Sequence, residues 1–159
     1  MVPSRVKEYM MTQAYTHRFT EVHETPGHAI DTWAIGVHTV QNYVSVANHQ
    51  RGVVLLYTGE MAQGSTLDLL LMQATDALGA GAKVIAGKAI TQLSAALGDT
   101  NDRVAIEVRT EELDVDGGFS FVGAIMTIAG GAVEACVTGF LGGSNYVPVP
   151  ATNWTEIIF

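Results

Sequence analysis

Residues 119–141 read FSFVGAIMTIAGGAVEACVTGFL and contain two apolar runs separated by a pair of glycines. Each run has the length of a strand and is rich in the β-branched and aromatic residues that suit a pleated surface. Ala129-Gly130-Gly131 supplies the turn, because glycine adopts turn conformations without steric cost. We therefore expect strands at 119–128 and 132–141 that pair as a hairpin.

Similar short runs lie upstream. Residues 103–109, RVAIEVR, alternate apolar and mainly charged side chains, as in a strand with one solvated face. Residues 51–59, RGVVLLYTG, form an apolar run bounded by glycines. Residues 66–73, TLDLLLMQ, are apolar on both faces, which predicts a strand covered on two sides.

Residues 83–97 fit either a helical stripe or strands. Gly87 interrupts the stripe, so that two short strands at 83–85 and 89–93 match the surrounding pattern better. Shorter candidate strands precede residue 51, at 33–37 and 42–47, and a further one is expected at 14–22.

The tally is about eight short strands with no long helix, which is typical of a β-sandwich or jelly roll. We predict an all-β, single-domain protein whose sandwich covers residues 31–143. Residues 1–30 are polar and His-rich and form an irregular arm in this prediction. Residues 144–159 contain Pro148 and Pro150 and are expected to form an extended tail.

The composition suggests that other protein subunits cover part of the surface of this protein. Apolar residues make up 48% of the chain and charged residues only 15%, with a net charge of −8. A field of that sign repels phosphate, so we expect no direct nucleic-acid binding. No apolar stretch is long enough to span a membrane, and the first residues lack the apolar block of a secretory signal. We expect synthesis in the cytoplasm and no membrane partner.

No residues are assigned to catalysis or to a cofactor. Glu112, Asp114 and Asp116 follow the spacing that opens a calcium loop, but the twelfth position is Gly123 where a bidentate Glu is required. We interpret the segment as a turn that ends a strand, and these three carboxylates are the only metal candidates that we single out. Neither the serines nor the single cysteine, Cys136, lie in sequence surroundings typical of a catalytic nucleophile. We therefore expect that the protein is not an enzyme.

Two long segments carry a family resemblance. Residues 67–93, LDLLLMQATDALGAGAKVIAGKAITQL, and residues 104–119, VAIEVRTEELDVDGGF, resemble stretches in small structural proteins of tailed bacteriophages. The resemblance covers about residues 53–146. It implies a virion component, most plausibly a capsid decoration (cement) protein on the capsid exterior. Its partners would be the major capsid protein and further copies of itself, as a homotrimer.

Other functions stay open at this point. A head–tail connector, a tail component or a receptor-binding protein would share the resemblance, and a β-sandwich module that binds a small ligand would share the fold. We expect the arm and the tail to carry the contacts between subunits. The residues expected at these interfaces are Tyr15, Phe19, Trp33, Tyr146, Trp154, Ile157, Ile158 and Phe159.

Overall fold

The computed structural model describes residues 31–40 and 43–143, together with the backbone of residues 19–24. Two short 3₁₀ helices, Ala95–Leu97 and Thr110–Glu112, lie in connections. Within the described ranges, no helix is long and apolar enough to cross a membrane. The strands are β1 (Phe19–Glu24), β2 (Asp31–Trp33), β3 (Gly36–Thr39), β4 (Val44–Ser45), β5 (Arg51–Met61), β6 (Thr66–Ala74), β7 (Lys83–Ala89), β8 (Leu93–Ser94), β9 (Arg103–Arg109), β10 (Phe121–Ala129) and β11 (Val133–Gly142).

The strands form two antiparallel sheets. Sheet A has the order β1-β11-β5-β9, and β2 pairs with β11 along the same edge as β1. Sheet B has the order β3-β10-β6-β7, with β4 beside β3 on β10 and β8 beside β7 on β6. When the neighbouring short strands are taken together, the chain visits the two sheets in the sequence of a double-sheet jelly roll. The predicted all-β sandwich is confirmed.

The core lies between the two sheets. Leu56 of β5, Leu69 of β6, Met126 of β10 and Val137 of β11 are each no more than 1% exposed. Burial of each such side chain contributes about 1.5–3 kcal/mol relative to an exposed one. The opposing apolar faces therefore hold the two sheets together.

The predicted hairpin at residues 119–141 is wrong. β10 pairs with β6 and β3, whereas β11 pairs with β5, β1 and β2, so the two strands belong to different sheets. The glycine turn is an arch that carries the chain across the core. The inward residues of both strands face each other through the core. The same apolar pattern is therefore compatible with an arch between two sheets and with a hairpin within one sheet.

Other strand predictions differ in detail. The strand at 103–109 is confirmed, with Ile106 and Val108 buried and Glu107 exposed. β6 is buried on the face that carries Leu69, but its second face is only half covered. Strands rather than a helix occupy residues 83–94, yet β7 continues through Gly87, where a positive φ of 73° accompanies a register shift against β6.

Two arches stack at one end of the sandwich, which we call the arch end. The first joins β5 to β6 through residues 62–65, and the second joins β10 to β11 through residues 130–132. The Ala62 N–H donates to the Ala132 carbonyl at 3.0 Å. Gly130 has a φ of 76°, and a Cβ there would collide with the carbonyl oxygen of Gly64. Glycine at 130 is therefore required both by its conformation and by the close approach of the arches.

This contact predicts a difference between two glycine substitutions. Gly64 also has a positive φ, 78°, but nothing lies within 4 Å of a Cβ added there. We expect Gly64→Ala to lower the free energy of unfolding by about 1 kcal/mol, the usual cost of a left-handed conformation. Gly130→Ala should lower it by a further ~1–3 kcal/mol because the arches must separate. Urea denaturation measures both, and equal losses would contradict the stacking.

Candidate assembly surfaces

Each of the two sheets ends in an edge strand on both sides. One edge of sheet A and the neighbouring edge of sheet B together form a flank, so that the jelly roll has two flanks. β7 and β9 approach one another on one side, and we call them, with residues 110–114, the charged flank. On the other side lie β1 and β2 at the edge of sheet A and β3 and β4 at the edge of sheet B. We call the described residues from Thr32 to Gln50 on this side the uncharged flank. The two flanks differ in what they offer to a neighbouring molecule.

Ion pairs cover the charged flank. Lys83 of β7 contacts the Asp114 carboxylate at 2.5 Å, and Lys88 contacts the Glu112 carboxylate at 2.8 Å. These contacts join the edge of sheet B to the connection that leaves β9. Pairs this exposed contribute little to stability, but they place charge along an edge that would otherwise accept another strand. Two further pairs are Arg51–Glu107 and Arg109–Glu111.

Two of the three cation candidates, Glu112 and Asp114, lie on this flank and have other partners. The Lys88 ammonium and then the Arg109 N–H hold the pKa of the Glu112 carboxyl below its usual value. Lys83 and then the Gly117 N–H do the same for the pKa of Asp114, and Asp116 is exposed. Within the described residues, no three His, Cys, Asp or Glu side chains are placed to share a metal ion.

The uncharged flank has the opposite character. Between Asp31 and Arg51 the sequence contains no Asp, Glu, Lys or Arg, although the chain as a whole carries a net charge of −8. Ile35 is 62% exposed and Val37 is 70% exposed on this flank. A pair of exposed aliphatic side chains on an edge without charge is the kind of surface that protein partners cover.

Trp33 is the one predicted interface residue whose side chain is described. Its indole Nε1–H donates to the Ala135 carbonyl of β11 at 3.0 Å, and its ring meets the His38 ring edge-on at 5.1 Å between centroids. The side chain is half-buried, so it fastens β2 and β3 to the sandwich and supports the uncharged flank from behind.

The other predicted interface residues are not described to the same extent. Phe19 begins β1, where its backbone lies opposite Gly142 of β11. The remaining six lie outside the described residues: Tyr15, Tyr146, Trp154, Ile157, Ile158 and Phe159. Their contacts stay a prediction.

Sequence reasoning missed Ile35 and Val37. Neither is aromatic, and residues 33–37 were predicted only as a short candidate strand, without an exposed face. A signal was nevertheless present, since the same residues begin the long interval without formal charge. A count of charge along the chain would have marked residues 32–50 beside a second uncharged interval at residues 135–155.

The end of the sandwich opposite the arches, the loop end, carries a polar groove of about 530 Å³. Arg51 and Arg109 line it from directly opposite positions on β5 and β9, with Glu111 beside them. His49 also lines the groove, yet neither of its buried ring nitrogens has a hydrogen-bond partner in the described part of the chain. Burial lowers the pKa of His49.

The lowered pKa predicts a loss of stability in mild acid. The unfolded chain takes up a proton on His49 near pH 6.5, whereas the folded chain resists it until a lower pH, so the free energy of unfolding falls as pH drops through this interval. We expect His49→Gln to remove part of the loss between about pH 7 and pH 5. His38→Gln is the matched control, since the His38 ring bonds to the Ala34 carbonyl.

Urea denaturation of the wild type and both variants at the two pH values provides the measurement. A pH dependence in His49→Gln that equals that of the wild type would show that the buried imidazole does not contribute. A loss of pH dependence in His38→Gln alone would assign the effect to the other ring.

Comparison with known proteins gives fold-level likenesses. No protein-family model matches the chain, and no curated protein matches it. Among solved structures, the VP2 subviral particle of infectious bursal disease virus aligns with 80% of this chain at 10% identity and a TM-score of 0.46. This chain spans only 33% of that chain.

Two further structures align over most of their length. The Triatoma virus empty capsid matches 89% of this chain and 98% of its own, at 11% identity and a TM-score of 0.44. The pili that form Bacillus endospore appendages match 80% of this chain and 90% of their own, at 10% identity and a TM-score of 0.37. Likenesses at these identities and scores assign no function to the chain.

Proposed function

We propose that this chain is a structural protein of a virus particle, and that it acts as a capsid decoration protein which reinforces the shell from outside. In this role it contacts the major capsid protein and further copies of itself. The uncharged flank is the observation that carries the proposal. An acidic protein that worked alone would gain nothing from a sandwich edge with exposed Ile35 and Val37 and no charge from Thr32 to Gln50.

The architecture supports an assembly role over a catalytic one. On the charged flank, the polar side chains are engaged in ion pairs and turn hydrogen bonds, such as Lys83 with Asp114 and Gln73 with the Asp114 N–H. Between the sheets, the apolar cavity measures only about 40 Å³, and the larger groove at the loop end is open and polar, unlike the enclosed, mainly apolar pockets that bind small molecules. Two-sheet jelly rolls recur in viral capsid domains.

The resemblance of residues 67–93 and 104–119 to tailed-bacteriophage structural proteins supports the more specific assignment. In the structure these stretches supply much of β6, β7 and β9. These strands belong to the structural framework. The resemblance therefore indicates common ancestry and does not locate a docking site. The tailed-phage origin, the homotrimer and the exterior location are parts of the proposal.

The copy number and position of the chain in intact particles test this proposal. We expect an image reconstruction of particles from the virus that encodes the chain to show many copies, spread over the outer surface of the shell. A few copies at a single vertex would assign the chain to a connector or tail component instead. Absence from purified particles would overturn a virion role altogether.

The terminal segments are expected to strengthen attachment to the shell. Deletion of residues 144–159 removes the predicted contacts of Trp154 and Phe159 while leaving every described strand in place. We expect at least a ten-fold loss of affinity for undecorated shells, measured by co-sedimentation. Circular dichroism that matches the full chain serves as the control for folding, and full occupancy by the shortened protein would refute the assignment.

A further inference from the structure

β3 presents an unpaired backbone edge. It pairs with β10 only, and the Val40 N–H that follows it donates to the Ala124 carbonyl of β10 at 2.9 Å. Backbone groups alternate in direction along an antiparallel strand, so the N–H and C=O of Val37 and Thr39 point away from β10. In the described residues no strand pairs with this side of β3. The strand therefore offers two donors and two acceptors to an incoming strand.

Charged side chains protect the edge strands of the charged flank, β7 and β9, but not β3. Natural proteins guard edge strands with charged side chains, which disfavour pairing with another chain. β9 carries Arg103, Glu107 and Arg109, and β7 carries Lys83 and Lys88. β3 reads Gly-Val-His-Thr and carries no formal charge besides its titratable histidine. Its Val37 is 70% exposed, more than any other large hydrophobic residue of the strands whose side chains are described.

We propose that β3 pairs, antiparallel and across a two-fold axis, with β3 of a second copy of this chain. Val37 lies opposite Thr39 of the partner subunit, which satisfies the outward donors and acceptors of both strands. His38 then lies opposite the partner's His38 as a non-hydrogen-bonded pair. The two B sheets become one continuous sheet through the pair.

Charge selects a second copy as the occupant of this edge. Two copies that each carry a net charge of −8 repel one another, and the repulsion is least where neither surface bears charge. β3 lies within residues 32–50, which carry no formal charge, and its outward edge pairs with no strand in the described part of the chain. A two-fold axis brings the same exposed Val37 and the same open backbone groups from each side, which makes the contact self-complementary.

The pair is weak in isolation and gains strength on a shell. Strands of four residues bury far less than the roughly 800 Å² per partner of a standard interface. Subunits already bound to neighbouring sites on a surface meet at a high effective concentration, so a weak edge contact closes there. The strengthening on a shell rests on the proposed function. The pairing itself is tested with protein in solution and does not depend on that function.

Disulfide trapping tests the register directly. Cα atoms of a non-hydrogen-bonded antiparallel pair lie about 4.5 Å apart, within the range that a disulfide spans. In the full chain at high protein concentration, we expect His38→Cys to form a covalent dimer under mild oxidation, at least five-fold more than Val84→Cys. Val84 is the matched control, as an exposed residue on β7 at the opposite edge of sheet B. The wild type, whose only cysteine is the buried Cys136, sets the background.

A second pair of variants keeps the test valid if His38→Cys folds poorly. We expect Val37→Lys to weaken self-association at least ten-fold in sedimentation equilibrium and Val84→Lys to leave it unchanged, because only the first places charge on the β3 edge. Equal trapping at positions 38 and 84, or equal association of the two lysine variants, would overturn the pairing. Neither experiment uses virus particles. Absence of the chain from particles would therefore not affect the pairing result, and failure of the pairing would not affect the proposed role in the virion.

Discussion

Burial of two apolar sheet faces against each other is the constraint from which the rest of the molecule follows. Leu56, Leu69, Met126 and Val137 come from four strands and two sheets, and together they exclude water from the centre. The chain can cover both faces only by crossing between the sheets repeatedly. Two of these crossings, the arches at Gly64 and Gly130, stack on each other, which is why a side chain is not accommodated at position 130.

The constraint leaves the flanks as the places where this protein can differ from other jelly rolls. On one flank lysines and carboxylates pair across β7 and the connection after β9, and they close that side to further strands. On the other, Trp33 fixes β2 to β11 through the Ala135 carbonyl and holds β3 in an exposed position. An asymmetric pair of flanks, one closed and one open, suits a subunit that meets its neighbours in a defined direction.

Local sequence predicted strands better than it predicted their partners. The alternation in RVAIEVR specifies β9 because one face must be buried and the other solvated, and the structure agrees residue by residue. Residues 119–141 show the limit, since two apolar runs around glycines fit a hairpin and an arch equally. The choice depends on distant pairing to β5 and β6, which no local pattern contains. For the same reason Trp33 was predicted only as an interface residue, and its hydrogen bond to β11 was not foreseeable.

Hydrogen–deuterium exchange at the β3 edge tests the central claim that this open flank exists to be covered by neighbours. In the dispersed protein we expect the Val37 and Thr39 amides to exchange rapidly, while the His38 amide, which faces β10, exchanges slowly. In the assembled state all three amides should be protected. Rapid exchange of Val37 and Thr39 in both states would contradict the account.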